Sequence, residues 1–142
     1  MKGCVNRSDL HQLVRIRLAE ARLLLQNDKY EGAYYLSGYA VECALKACIA
    51  KQVKKFDFPD KKMVLDSHSH NLEQLLSVSG LKQVHQDELQ NNAQFAVNWA
   101  VVRDWSEQDR YVIGISRAEA RDLYAAVTAR RHGILAWLKK HW

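Results

Sequence analysis

The chain has one proline, six glycines and three cysteines in 142 residues, and no apolar run of membrane-spanning length. Each scarcity excludes something. Few glycines and a single proline disfavour a turn-rich β protein and favour long helices. A spanning helix needs about 18 or more consecutive apolar residues, so no membrane partner is expected. The opening residues Met1-Lys2-Gly3-Cys4-Val5-Asn6-Arg7 lack the apolar core of a signal peptide. Cys4, Cys43 and Cys48 are odd in number and show no Cys-x-x-Cys spacing, and on one helix Cys43 and Cys48 would point apart. The expectation is a cytoplasmic protein with reduced thiols, its two helical cysteines serving as small core hydrophobes. There is no glycine-rich phosphate loop. His68 and His70 are two apart, which does not suit a helical metal pair. Neither a metal nor a cofactor is expected, and the two histidines are assigned to capping and anchoring a short helix.

What is present is an ordinary globular balance: 48% hydrophobic and 26% charged residues, enough for one domain over 1–142 with a real core. The formal charge of +5 and a pI near 9.2 permit an anionic partner without demanding one. The excess is uneven. Lys51, Lys54, Lys55, Lys61 and Lys62 gather around one connection, and Arg130, Arg131, His132, Lys139, Lys140 and His141 gather at the C-terminal end.

Apolar periodicity predicts helices over about 8–27, 29–54, 70–78, 84–102 and 117–140. Ser8 is the expected cap of the first and Asp28 of the second. The second is the most apolar, with small residues (Ala33, Ser37, Gly38, Ala40, Ala44) between large ones, and belongs at the centre of a bundle. Glu42 and Lys46, four apart, pair on its expected exposed strip. A connection over about 55–67 carries Phe56, Phe58 and Pro59, and Pro59 forbids continued helix there. Gly80 stops the short helix, and Ser116-Arg117-Ala118-Glu119 has capping-box spacing. In the fourth helix Leu89, Ala93, Ala96, Val97, Ala100 and Val101 form the stripe, with Phe95 and Trp99 alongside. The fold class is all-α: an up-and-down four-helix bundle with one additional short helix.

Between the last two long patterns lies Arg103-Asp104-Trp105-Ser106-Glu107-Gln108-Asp109-Arg110-Tyr111, with two arginines, three acids and two aromatics in nine residues. A simple connector would use Gly, Asn and Ser. Arg103 and Arg110 fit either forked binding of a phosphate or an ion-pair network with Asp104, Glu107 and Asp109. Trp105 and Tyr111 fit either base stacking or packing. Cys43 has no adjacent histidine, so a nucleophilic role is not expected.

The second helix, Asp28-Lys29-Tyr30-Glu31-Gly32-Ala33-Tyr34-Tyr35-Leu36-Ser37-Gly38-Tyr39-Ala40-Val41-Glu42-Cys43-Ala44-Leu45-Lys46-Ala47, resembles the HEPN domain family in its small residue, aromatic, then Ala-Val-Glu-x-x-Leu-Lys-Ala. Ser69-His70-Asn71-Leu72-Glu73-Gln74-Leu75-Leu76 is similar to the family's His-x-Leu-x-x-Leu segment, and Trp105 with Arg110-Tyr111 to the Trp…Arg-Tyr ending of one branch. The resemblance implies a small helical bundle, a homodimer, and a nucleotidyltransferase partner in a toxin–antitoxin or defence setting. It also implies, for active members, a metal-independent RNase with an Arg-x(4–6)-His motif. In that chemistry arginine steadies the scissile phosphate and histidine handles the 2′-hydroxyl proton.

Arg103-Asp104 looks like the start of that motif, but positions 108, 109 and 110 hold Gln, Asp and Arg, and no histidine follows any arginine at the required spacing. Arginine stays protonated and cannot act as the base. The expectation is a nucleotide- or RNA-binding module without catalytic residues, its site drawn from Glu42, Lys46, Arg103, Asp104, Arg110 and Tyr111. The alternatives are an RNase with a divergent site and an antitoxin-like interaction protein with no small ligand.

Overall fold

The computed structural model describes residues 5–56 and 61–142. The expectations for Cys4, Phe58 and Pro59, and for the side chains of Lys54, Lys55, Phe56 and Lys61, lie outside those residues. Among the described residues the chain is all helical. It forms α1 (Arg7–Gln26), α2 (Tyr30–Phe56), α3 (Lys61–Asp66), α4 (Leu72–Val78), α5 (Lys82–Asn91), α6 (Ala93–Val102), a 3-10 helix (Glu107–Tyr111), α7 (Arg117–Thr128) and α8 (Ile134–Leu138).

Local chemistry sets most of the ends. Asn6, not Ser8, caps α1: its side chain accepts from the Asp9 amide at 2.8 Å, and the Asp9 carboxylate accepts from the Asn6 amide at 3.1 Å. Asp28 turns the chain with a left-handed φ of 60° and accepts from the Tyr30 hydroxyl at 2.8 Å. Asn71 caps α4, Gly80 ends that stretch at φ 78°, and Ser116 caps α7. The expected connection over 55–67 contains α3.

Two expected long helices are broken. The fourth divides at Asn92, whose side chain accepts from the Phe95 amide, donates to Glu88 and meets His132 Nδ1 at 3.0 Å. The last divides over 129–133, where Asn98 donates to the His132 carbonyl at 2.8 Å. The two asparagines thus tie the α5–α6 corner to the α7–α8 corner. The break also changes the buried face. Phe95, Trp99 and Val102 are in the core, whereas Val97 and Ala100 point outward. Large aromatic side chains gain more from burial than alanine and valine do, and they decide the rotation of α6.

α2 is the centre, touching α1, α4, α7, α8 and the 3-10 helix. Its small residues permit this. A Cβ built on Gly38 would lie 2.2 Å from Cγ of Trp105, so the indole rests directly on the helix backbone. Trp105 is itself buried, beside Tyr35 at a centroid distance of 5.8 Å. On the other side His85 of α5 is buried among Phe95, Trp99 and Trp137, its Nε2 without a hydrogen-bond partner. The bundle therefore buries Phe95 and Trp99 in its own core. Cys43 and Cys48 are free and buried, and burial pushes their thiols up to about 11 and about 12.

Two outcomes follow for stability. Gly→Ala inside a helix normally stabilises by about 0.5–1 kcal/mol. At Gly38 the rigid indole reverses the sign, and Gly38→Ala destabilises by about 1–3 kcal/mol net. At Gly32 the new Cβ meets only the flexible Leu24 side chain, at 2.9 Å, and Gly32→Ala is neutral or stabilising. Urea unfolding of both variants checks the contrast; equal effects would contradict it. The second concerns acid. Burial pushes the His85, His11 and His141 imidazoles below their ordinary value, outweighing the carboxylate of Glu73 at His85. These groups bind protons more readily unfolded, so their stabilisation is full above about pH 6.5 and is lost as pH falls through the folded values. Melting temperature drops below about pH 6.5, and His85→Leu flattens the drop; an unchanged slope in that variant contradicts the assignment.

Candidate functional site

A carboxylate inside an apolar helix must find cations or hydrogen bonds, because an isolated buried charge is costly. Glu42 of α2 is 2% exposed, which corrects the expectation of an exposed strip. Lys46 follows one turn later at 3.3 Å, as sequence spacing suggests. The second partner comes from outside the helix: His70 Nδ1 lies 3.1 Å from both Glu42 oxygens. His70 does not cap α4; Asn71 does that, and leaves the preceding side chain free to reach α2.

The chain of charges continues. His70 Nε2 is 2.9 Å from Glu107 Oε2, and Glu107 Oε1 is 3.4 Å from Arg110 Nη2. The Nε2 contact is not a well-formed hydrogen bond, since Glu107 Oε2 is buried without a hydrogen-bond partner. Lys46, Glu42, His70, Glu107 and Arg110 thus form one line of alternating basic and acidic side chains across α2, the stretch before α4 and the 3-10 helix.

The 3-10 helix aims the last two. Ser106 and Asp109 form a capping box at its start, with the Asp109 carboxylate accepting from the Ser106 amide at 2.7 Å. Residues three apart eclipse in this helix type, so Glu107 and Arg110 share one face. That face closes one side of an open cleft of about 470 Å³, lined also by Arg17 of α1, by Tyr35, Leu36 and Tyr39 of α2, and by His70. Burial raises both tyrosine hydroxyls above the ordinary range, so they enter the cleft neutral. Arg17 is paired with Glu20 one turn along α1.

The sequence-assigned residues divide. Glu42, Lys46 and Arg110 belong to one charge chain. Arg103 ends α6, is exposed, and lines a different cleft with Glu73, Lys82, His85 and Trp99. Asp104 is exposed and joins neither arginine in an ion pair among the described residues. Tyr111 is 68% exposed, its ring 5.0 Å from the Arg110 guanidinium, and does not line the cleft. The ion-pair reading of the segment is partly realised: Arg110 pairs with Glu107, while Asp109 serves as a cap.

Five polar or aromatic cleft residues escaped the sequence assignment: Arg17, Tyr35, Tyr39, His70 and Glu107. A signal existed for one of them. A glutamate on a helix apolar nearly all round has to be buried, and a buried glutamate predicts a cation from another element.

The Glu42–His70 contact is measurable as a coupling energy. His70 is half exposed, at 50% of its side chain, so solvent screens the pair and the coupling expected from a Glu42→Ala, His70→Ala cycle in urea is about 1 kcal/mol. Strict additivity of the two single variants would show the contact to be energetically idle.

Comparison with known families adds one match: the family model for the HEPN domain covers residues 15–140. That span runs from within α1 past the end of α8 and includes every residue of the cleft. No curated protein and no solved structure matches the chain significantly. Covering most of the sequence and agreeing with the helical architecture, the match shows that the chain belongs to the HEPN domain family.

Proposed function

We propose that the cleft between α1, α2, the stretch before α4 and the 3-10 helix binds a nucleotide or the nucleotide units of an RNA. Arg110, with Arg17 across the opening, takes the phosphate, and the neutral rings of Tyr35 and Tyr39 lie against the base. The observation carrying this reading is the convergence of two arginines, a histidine and two tyrosines from separate elements on one open cleft. HEPN membership supports a nucleotide- or RNA-related role. In the setting that the family implies, the module works as a homodimer beside a minimal nucleotidyltransferase in a toxin–antitoxin or defence system.

The module is non-catalytic in this reading. The chain lacks the arginine–histidine spacing of the family's RNases, and each His70 ring nitrogen faces a carboxylate, where a base needs access to the substrate hydroxyl. One observation favours a second reading: His70 and Arg110 line the same cleft from distant parts of the chain. A divergent RNase would use these two, with Glu42 orienting the imidazole.

Calorimetry with AMP and a short oligoribonucleotide at low salt tests the proposal. Wild type binds, Arg110→Ala weakens binding about tenfold or more through loss of charge-assisted contacts, and Arg103→Ala, in the other cleft, leaves it unchanged. Absence of binding to either ligand overturns the proposal, as does equal loss in both variants. Incubation with RNA in the presence and absence of chelator decides between the two readings: intact RNA supports the binding module, and cleavage abolished by His70→Ala establishes the RNase.

A further inference from the structure

Resting on the nucleotide-binding reading, we infer that the Glu107 carboxylate is an internal occupant of the phosphate position, which makes the cleft selective for a terminal phosphate over a phosphodiester. Glu107 occupies the place that a ligand phosphate needs. Its two oxygens face the two basic side chains of the inner cleft, His70 Nε2 at 2.9 Å and Arg110 Nη2 at 3.4 Å. Its side chain is only 21% exposed, and its Oε2 is buried with no hydrogen bond to reward the burial. A carboxylate held by attraction alone, on a five-residue 3-10 helix at the surface, is displaceable.

Glu42 differs in kind. It is almost fully buried on α2, and it holds His70 and Lys46 from behind. It stays in place and keeps the imidazole turned towards the cleft when Glu107 leaves.

Displacement sets the selectivity. A phosphodiester carries one negative charge, so it exchanges one monoanion for another beside the same Arg110 guanidinium and gains little Coulomb energy. A terminal phosphate carries about −1.5 to −2 near pH 7 and offers three acceptor oxygens, so it outcompetes the carboxylate. The ligand class is a nucleoside monophosphate or the phosphorylated end of an RNA.

The test compares AMP, 3′,5′-cyclic AMP and adenosine on wild type and on Glu107→Gln, which keeps the shape and removes the charge. Wild type is expected to bind AMP about tenfold tighter than cyclic AMP, and adenosine weakest. Glu107→Gln is expected to bind cyclic AMP about tenfold tighter than wild type does, narrowing the gap. Equal affinities of the two proteins for each ligand overturn the occupant role while leaving the nucleotide reading intact. Weaker binding by the variant overturns it too, since Glu107 would then be a ligand contact. Equal binding of AMP and cyclic AMP by wild type overturns the selectivity. Binding of nothing by either protein overturns the underlying reading itself. Should Glu107→Gln not fold, titration of wild type with inorganic phosphate decides: the His70 ring resonances are expected to move saturably, and their constancy overturns the proposal.

Discussion

The cleft depends on one buried carboxylate. Glu42 sits on the most enclosed helix of the bundle, where a charge without partners would be strongly destabilising, and it is the reason that His70 is drawn out of the segment before α4. From that contact the rest follows outward: the imidazole presents its second nitrogen to the cleft, Glu107 meets it, and Arg110 meets Glu107. The polar chain is continuous from the core to solvent, and each link limits where the next can lie.

A second constraint is steric. Trp105 rests on the bare backbone of Gly38, which fixes the corner between α6 and the 3-10 helix. With the indole anchored, the residues on its two sides separate. Arg103 stays with the end of α6 and faces the cleft beside α4 and α5, whereas Arg110 rides the 3-10 helix into the cleft beside α1 and α2. A segment that reads as a single polar corner is two surfaces divided by a tryptophan.

How much of this was legible depended on whether the cause was local. The central place of α2 follows from its apolar pattern, and the Gly80 stop and the Ser116 cap follow from local residue chemistry. The break at Asn92 was not legible, because its stabilising partner, His132, lies 40 residues away. Without that partner, the run through Gln90-Asn91-Asn92 reads as the polar face of one helix. His70 was misread for a related reason. Ser69, His70 and Asn71 are all plausible caps, and only the burial of Glu42 decides that Asn71 caps while His70 crosses to α2. Of the residues in the candidate cleft and its charge chain, those with a local signature, Glu42 with Lys46 and the Arg110 turn, could be named from sequence; those that meet only in three dimensions, Arg17, Tyr35, Tyr39 and His70, could not.

The most direct measurement is the position of a bound nucleotide in a crystal of the protein grown with AMP. If Glu42 organises a phosphate site through His70, the phosphate lies within hydrogen-bond distance of His70 and Arg110, with the Glu107 carboxylate moved aside and Glu42 still on the imidazole. A nucleotide seated beside Arg103, or bound with Glu107 still between His70 and Arg110, would contradict it.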